Sequence, residues 1–172
     1  MTHRVNITED VQLEDLKGHL DCIELIATWH HQEWLKGREL AFNSELEPND
    51  DLDRRCEVLR THGQNSGLPR TFVALVDGQV VGSVSIVYYC FTKTQTASEW
   101  LTNVYVEPRY RRQGFAAKLI EYACEQALNC GVSKLKLYTS DKSAYYQRLG
   151  WKMLGVSRAQ SQQVSILEYA LG

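Results

Sequence analysis

A cluster of basic residues beside a glycine is the feature of this sequence that most directly suggests chemistry. Arg109, Arg111 and Arg112 lie within a stretch of four residues and are followed by Gly114 and Ala116. The segment separates a strand-like run from a helix-like run, so the glycine would stand at a helix N-terminus. Cations are unfavourable there, because the unpaired backbone N–H groups already carry partial positive charge. The arrangement becomes favourable if an anion binds, and the small residues would let the backbone approach it.

The spacing does not match either of the common phosphate-binding loops. It lacks the lysine and hydroxyl residue that follow the last glycine of a Walker loop, and it lacks the three glycines of a dinucleotide-binding loop. On spacing alone, a solvated basic turn with a helix-starting glycine explains the pattern as well as an anion site does. The identity of an anion must therefore come from other parts of the sequence.

No group of metal-ligating residues has a suitable spacing. The segment His30-His31-Gln32-Glu33 is not a His-Glu-x-x-His motif, and adjacent histidines on a helix point to different faces. The five cysteines, at positions 22, 56, 90, 124 and 130, are odd in number and form no Cys-x-x-Cys pair. Neither a zinc site nor a disulfide framework is therefore expected, and buried free thiols are the interpretation we prefer.

The composition argues against several classes of partner. The 172 residues suffice for one domain with its own core, and a formal charge of -2 disfavours nucleic acid as a main partner. The longest apolar run, residues 84–91, is far too short to cross a bilayer, and the N-terminus carries no apolar signal-peptide core. We therefore expect a single-domain cytoplasmic protein that binds neither nucleic acid nor membrane.

The first seventy residues are predicted to be mainly helical. A short strand is expected at residues 5–7, and a helix at residues 20–35, ended by Gly37. Residues 44–47 have the Ser-x-x-Glu spacing of a capping box, before a second helix that ends near residue 61.

From residue 71 onward the pattern changes to strands. Residues 71–76 and 80–88 are rich in β-branched and apolar residues, and the Asp77-Gly78 pair between them is a strong hairpin signal. The remaining predicted elements are a strand at 100–106, a helix at 112–129 closed by Gly131, a strand at 135–138, a short helix at 143–149 closed by Gly150, and strands at 151–156 and 164–171. This order of elements predicts a mixed α/β layer structure.

Two motifs in the strand-rich part resemble the landmarks of one enzyme family. Arg111-x-x-Gly114-x-Ala116 matches the Arg/Gln-x-x-Gly-x-Gly/Ala signature of the GNAT acetyltransferases, and it follows a strand that ends at 104–108, like the family's fourth strand. Downstream, residues 144–151 (Ala-Tyr-Tyr-Gln-Arg-Leu-Gly-Trp) resemble the family's second landmark. The motifs stand in the family's order, separated by one helix and one strand, which makes the resemblance much more specific than either motif alone.

The resemblance implies a fold and a division of the chain. The fold would be a single α/β GNAT domain, with a mixed, mostly antiparallel sheet that splays between the strand ending at Val106 and the strand at 135–138. Residues 1–70 would form a variable helical arm for the acceptor, 71–156 an acetyl-CoA-binding core, and 157–172 a closing strand. The activity would be transfer of an acetyl group from acetyl-CoA to a primary amine.

The cofactor contacts are carried over from the family residue by residue. The backbone of Val104, Tyr105 and Val106 would pair with the pantetheine arm of acetyl-CoA, with the Val106 N–H near the thioester oxygen. The residues expected at the pyrophosphate and the adjoining helix start are Arg111, Arg112, Gln113, Gly114, Phe115, Ala116 and Ala117. No metal is expected, because this chemistry needs no Lewis acid.

Two residues are candidates for proton transfer. By the resemblance, Tyr146 falls on the tyrosine that protonates the leaving sulfur, and the alternative is an aromatic side chain that packs under the cofactor. Glu99 is the candidate general base, acting through a water, and the alternative is a solvated carboxylate at a strand end. Alternation along the strand would place Glu99 with Asn103 on the face opposite Val104. Asp141 is a candidate cap for the short helix that carries Tyr146.

The acceptor side is the least diagnostic part of the sequence. Trp29, Glu33 and Asn103 are expected to border the acceptor, together with His30 and Trp34 on the first helix. A small-molecule primary amine is the leading acceptor, and a peptide N-terminus or a lysine side chain is the enzymatic alternative. A domain that binds acetyl-CoA without turnover is the alternative from a different class. A monomer and a homodimer are both compatible with the sequence.

Overall fold

The computed structural model describes residues 10–38, 48–90, 96–159 and 162–172. In chain order its elements are β1 (Val11–Asp15), α1 (Ile23–Arg38), α2 (Pro48–His62), β2 (Arg70–Val76), β3 (Gln79–Tyr89), β4 (Ser98–Val106), α3 (Phe115–Asn129), β5 (Lys134–Thr139), α4 (Ser143–Arg148), β6 (Lys152–Ala159) and β7 (Gln162–Ala170). Short 3-10 helices occupy residues 16–18, 20–22 and 108–110.

The strands form one sheet in the order β1-β2-β3-β4-β5-β7-β6. Every neighbouring pair is antiparallel except β4 and β5, which are parallel. In the described strands, β4 and β5 pair at a single register position, Trp100 opposite Lys136. The ladder stops beyond that position, and a cleft opens between the two strands. The predicted fold, a mixed and mostly antiparallel sheet flanked by helices, is confirmed.

The sheet separates two hydrophobic layers. Alternation along the strands sends Phe72 and Val84 to one face, where they pack with Leu119 of α3. Val73 points to the other face and packs with Ile26 of α1. We call these the α3 face and the α1 face of the sheet.

The β2–β3 hairpin confirms the turn predicted from the Asp-Gly pair. Asp77 and Gly78 have φ angles of 49° and 78°. Both values lie in the left-handed region that a two-residue type I′ turn requires at its two central positions. Glycine has no Cβ to clash there, and aspartate tolerates the conformation better than most residues.

Three predicted helix boundaries were wrong. α3 begins at Phe115 rather than at Arg112, because Arg112 and Gly114 adopt φ angles of 64° and 83° that a right-handed helix does not allow. α1 continues past Gly37, since a single glycine costs a helix only about 1 kcal/mol. Its expected first turn, residues 20–22, is instead a 3-10 helix.

The first strand of the sheet was not predicted. β1 runs antiparallel to β2, and an ion pair between Asp15 and Arg70 joins them, with Arg70 Nε donating to Asp15 Oδ2 at 2.8 Å. The side chains of β1 alternate only between half-buried and exposed, because it is an edge strand, and this weak contrast hides it in the sequence. The strand predicted at residues 5–7 and the capping box at 44–47 lie outside the described residues.

None of the five cysteines, all of which lie within the described residues, forms a disulfide. Their predicted burial holds only in part: Cys56 and Cys124 are buried, whereas Cys90 and Cys130 are exposed. Within the ranges that the structure covers, no helix is both long enough and apolar enough to cross a membrane.

Candidate active site

A cavity of about 670 Å³ occupies the cleft between β4 and β5 and extends to the start of α3. Its volume is typical of a site for a small molecule or cofactor. The walls come from β4, the loop after it, the start of α3, β5, α4 and one residue of α1. The lining residues are Glu33, Leu101, Thr102, Asn103, Val104, Tyr105, Val106, Tyr110, Arg111, Arg112, Gly114, Phe115, Ala116, Leu137, Tyr138, Thr139, Lys142, Tyr145 and Tyr146.

One end of the cavity is the loop that leads into α3. The positive φ angles of Arg112 and Gly114 turn the chain there, so that the N-terminus of α3 borders the cavity. A Cβ built on Gly114 would meet nothing within 4 Å, so the space beside its backbone is open. The first turn of α3 carries no acidic side chain, and Arg111 and Arg112 both line the cavity. Unpaired N–H groups, two cations and open space together fit a phosphate ligand.

Arg111 is held by two contacts. Its Nε donates to the backbone oxygen of Val106 at 2.7 Å, and its guanidinium carbon lies 5.3 Å from the centroid of the Tyr105 ring. The hydrogen bond uses one of five guanidinium N–H donors, so other donors can serve a ligand. Tyr105 in turn stacks on Trp29, with centroids 5.0 Å apart and an angle of 26° between the rings. These contacts connect α1 to the basic end of the cavity.

Two residues expected near the acceptor are core residues instead. Trp29 is 5% exposed and does not line the cavity, because its ring is used in the stack on Tyr105. His30 is buried, with Nε2 3.0 Å from Ser83 Oγ, and burial lowers the pKa of His30 to about 3. Its imidazole is therefore neutral and anchors α1 on the sheet. The side chain of Trp34 lies outside the described part of the structure.

β4 carries a bulge where it passes the cavity. Ser85 pairs with Thr102 and Ser83 pairs with Tyr105, so two residues of β4 oppose one residue of β3. Asn103 accommodates the extra residue with a φ angle of 54°, a conformation that asparagine tolerates better than most residues. A bulge interrupts the ladder and leaves backbone groups unpaired by the neighbouring strand, which suits the wall of a binding cleft.

The bulge overturns the predicted face of Glu99. Strict alternation put Glu99 and Leu101 opposite Val106, but Leu101 and Val106 pack in the same core layer on the α3 face. Glu99 precedes Leu101 by two residues, so the two side chains lie on the same face of β4. Near the start of β4, Glu99 is the register partner of Tyr88. It does not line the cavity. Its role as a general base stays a prediction that no cavity contact supports.

Tyr146 lines the cavity from α4 and is 8% exposed. Its ring lies 6.0 Å from that of Trp151 and 5.3 Å from that of Tyr145, both in edge-to-face geometry. Burial is the main cause that raises the pKa of Tyr146 to about 12, and Tyr145 and Asp141 add to it. The hydroxyl is therefore protonated at neutral pH and is available as a hydrogen-bond donor.

The start of α4 differs from the prediction. Asp141 does not cap the helix, because the N-cap residue is Lys142, and the Lys142 N–H donates to Thr139 Oγ1 at 3.1 Å. Thr139 and Lys142 both line the cavity, and sequence analysis missed them. Lys142 adds a third cation to the lining. A lone lysine before a short helix is not distinctive in sequence, and only the splay of the sheet brings it to the site.

The structure brings most of the predicted cofactor residues together. Those that line the cavity are Val104, Tyr105, Val106, Arg111, Arg112, Gly114, Phe115 and Ala116. Gln113 does not, and its Nε2 donates to the backbone oxygen of Arg109 at 3.4 Å. Ala117 lines a second cavity, beside β7. Of the predicted acceptor contacts, Glu33 and Asn103 line the main cavity.

The buried histidines serve packing rather than metal binding. His62 Nδ1 lies 2.9 Å from Thr71 Oγ1, which lies 2.7 Å from Ser85 Oγ, so a chain of polar side chains joins α2 to the sheet. Burial lowers the pKa of His62. Among the residues described, no group of three or more His, Cys, Asp or Glu side chains could hold a metal ion.

Sequence comparisons point to one family. Residues 68–153 match the family model for the acetyltransferase (GNAT) domain. The chain is 30% identical over 140 residues to the glucosamine 6-phosphate N-acetyltransferase of Trypanosoma brucei brucei, covering 80% of this chain and 83% of that protein. It is 33% identical over 114 residues to the thialysine N-epsilon-acetyltransferase of Sus scrofa, covering 60% of this chain and 65% of that protein.

Solved structures share the fold at low sequence identity. An aminoglycoside 6'-acetyltransferase of type Ii superposes with a TM-score of 0.68 at 16% identity, covering 95% of this chain and 97% of that one. An acetyltransferase from Salmonella typhimurium, determined with its cofactor acetyl-CoA, gives a TM-score of 0.62 at 17% identity, covering 95% of each chain. Together with the family model and the trypanosomal relative, this fold shows that the chain belongs to the GNAT family of acetyl-CoA-dependent N-acetyltransferases.

Proposed function

We propose that the protein transfers an acetyl group from acetyl-CoA to the primary amine of a small molecule, by direct attack within a ternary complex. The observation that carries this proposal is the single continuous cavity. It runs from the basic start of α3, along the bulge of β4, to a wall that includes Glu33 of α1. A nucleotide donor and an amine acceptor can therefore meet in it without a covalent enzyme intermediate.

The relatives support a small acceptor. The trypanosomal protein is named for glucosamine 6-phosphate, and the porcine protein for thialysine. Both named substrates are small molecules that carry an amine. The match spans less than two thirds of the porcine protein, so it supports the chemistry of the acceptor more than its identity.

The basic end of the cavity is suited to the phosphates of acetyl-CoA. When bound, this cosubstrate supplies an activated acetyl group on a thiol. Arg111 and Arg112 offer guanidinium donors there, and the N–H groups at the start of α3 offer a preformed anion site. Along β4, the stretch from Val104 to Val106 lies beyond the one position that pairs with β5, so its backbone can bind the amides of the pantetheine arm.

Two side chains that line the cavity can take part in proton transfer. An alkylammonium has a pKa of about 10 and must lose a proton before it can attack. Among the described lining residues, Glu33 supplies the carboxylate. It can attract the ammonium form of the acceptor and accept its proton through a water molecule. Tyr146 carries a proton on its hydroxyl at neutral pH and can donate to the sulfur that leaves as a thiolate.

A steady-state assay with a panel of amines tests the proposal. CoA release should rise with at least one small amine, and initial rates with both substrates varied should give intersecting lines in a double-reciprocal plot. Parallel lines would indicate a covalent acetyl-enzyme and contradict direct attack. Acetylation of peptide N-termini or lysine side chains, with no small amine accepted, would favour the protein-directed alternative.

A further inference from the structure

Three side chains form a continuous stack from the basic end of the cavity to α1. The guanidinium carbon of Arg111 lies 5.3 Å from the centroid of the Tyr105 ring. The ring centroids of Tyr105 and Trp29 are 5.0 Å apart, with an angle of 26° between the planes. We call Arg111, Tyr105 and Trp29 the bridging stack. Cation–π and stacked aromatic contacts are both attractive, so the position of each member depends on the next.

The stack connects two different parts of the cavity wall. Arg111 lines the cavity at its basic end, whereas Trp29 is buried and does not line it. Glu33 follows Trp29 by four residues in α1 and lines the cavity. Residues at that spacing are neighbours on one face of a helix, with Cβ atoms about 5–6 Å apart. The stack therefore ends on the same face of α1 that presents Glu33 to the cavity.

A second contact holds α1 at the same place on the sheet. His30, next to Trp29, has its Nε2 3.0 Å from Ser83 Oγ, and Ser83 is the register partner of Tyr105 on the neighbouring strand. Neither His30 nor Ser83 lines the cavity. The bridging stack, in contrast, ends on Arg111, where a ligand in the cavity can act on it.

A phosphate bound to Arg111 would order the rest of the stack. Arg111 Nε donates to the backbone oxygen of Val106 at 2.7 Å, which leaves other guanidinium N–H donors for a phosphate. A guanidinium held at both sides would stay over the Tyr105 ring, and that ring would stay against Trp29. Ordering of an element that two sites share lowers the cost of binding at the second site.

We propose that the bridging stack couples the two ends of the cavity: acetyl-CoA bound at Arg111 orders Tyr105 and Trp29 and thereby fixes the turn of α1 that presents Glu33 to the acceptor. Trp29 and the Tyr105 ring are positioning groups of the reaction. The proposal rests on the proposed function, because it needs the phosphates of acetyl-CoA at the basic loop and an amine near Glu33.

Calorimetric titration of CoA tests the coupling without knowledge of the acceptor. Coupling is reciprocal, so Trp29→Leu should raise the Kd of CoA about fivefold or more, although Trp29 does not line the cavity. Ile26→Ala is the control, because it removes buried volume from the same helix and leaves the stack in place. It should leave the Kd unchanged. In an Arg111→Met background, Trp29→Leu should have no further effect on the Kd.

The same cycle identifies the result that would overturn the coupling. An unchanged Kd in Trp29→Leu, or an equal increase with and without the Arg111 guanidinium, would show that Trp29 serves packing alone. If Trp29→Leu does not fold, the comparison moves to Tyr105. Tyr105→Phe keeps the stacked ring and should bind CoA as the wild type does, whereas Tyr105→Leu should show the raised Kd. Equal Kd values in these two variants would also overturn the coupling.

Kinetics test the acceptor end of the stack. With the amine of the steady-state panel that gives the highest kcat/KM, Trp29→Leu should raise KM for the amine about fivefold or more at saturating acetyl-CoA, and Trp29→Phe should restore most of the loss. An unchanged KM would overturn the link to Glu33, while acetyl transfer itself would stand. If CoA binds but no amine of the panel is acetylated, the proposed function fails, and the calorimetric cycle still decides whether Trp29 and Arg111 are coupled.

Discussion

The most specific consequence of the site geometry concerns Gly114, and α3 itself supplies the control. Gly114 precedes the helix with a φ angle of 83°, and Gly131 follows it with a φ angle of 84°. A Cβ on either glycine would meet nothing within 4 Å. The two positions therefore share backbone conformation and open surroundings, but only Gly114 lines the cavity. Gly114→Glu and Gly131→Glu should differ mainly in what they do to CoA binding.

The cost to stability can be worked out from the backbone. A residue with a Cβ in the left-handed region costs about 1–2 kcal/mol. For a chain of this length, 1 kcal/mol lowers Tm by about 2–4 °C, so each variant should lose about 2–8 °C without ligand. The helix dipole makes a glutamate favourable by about 0.3–1 kcal/mol at the N-terminus of α3 and unfavourable at its C-terminus. Without ligand, Gly114→Glu should therefore be the more stable of the two variants.

Addition of CoA should reverse that order. At a concentration 100 times Kd, a ligand stabilises the native state by about 2.7 kcal/mol, which corresponds to about 5–11 °C in Tm. Gly131→Glu should keep this shift, because its substitution is remote from the cavity. Gly114→Glu should lose it, since bulk and negative charge would occupy the proposed phosphate site. Differential scanning fluorimetry with and without CoA measures both effects. An equal shift in the two variants would refute the placement of the pyrophosphate at this loop.

Three further predictions concern catalysis and stability. Tyr146→Phe should lower kcat at least about tenfold with little change in the Kd of CoA, whereas Tyr145→Phe should leave kcat nearly unchanged. Full kcat in Tyr146→Phe would show that Tyr146 is a packing residue. Because His30 is neutral when folded and takes up a proton when unfolded, the free energy of unfolding should fall as the pH drops from 6.5 towards 3, by up to about 1.4 kcal/mol per pH unit for this residue. Urea unfolding at several pH values should show a shallower fall in His30→Gln, and an unchanged slope would contradict this assignment. Asp15→Ala leaves Arg70 mostly buried without its carboxylate and should cost about 1–3 kcal/mol, measurable by the same method, and a loss below about 0.5 kcal/mol would show that the pair contributes little.

Several features of the strand-rich part of the chain could be predicted from residues that are adjacent in the sequence. The Asp77-Gly78 pair fixes a type I′ turn by itself, because few other residue pairs tolerate two left-handed positions in succession. The basic loop was a candidate anion site because cations before a helix are unfavourable without an anion, and the resemblance to the GNAT motifs favoured that interpretation over a solvated basic turn. Both signals depend on neighbouring residues in the chain, so no tertiary contact was needed to find them.

Features that depend on distant residues were not predictable. The bulge at Asn103 is defined by the register between β3 and β4, and a simple alternation rule therefore placed Glu99 wrongly. Trp29 was predicted to contact the acceptor, but its ring stacks on Tyr105 instead. Lys142 became a site residue only through the splay of β4 and β5. In each case the sequence identifies the residue type, and the partner that decides its role lies far away in the chain.

The proposed function requires that the acetyl group of acetyl-CoA reach the nitrogen of a small amine. Acetyl-CoA labelled with deuterium in its acetyl group, incubated with the protein and a panel of small amines, tests it directly by mass spectrometry of the amine fraction. A deuterated acetyl group should appear on the nitrogen of at least one amine, in step with the release of CoA, and it should be absent in Gly114→Glu. Binding of acetyl-CoA without labelled product from any amine would contradict acetyl transfer and would favour a module that binds acetyl-CoA without turnover.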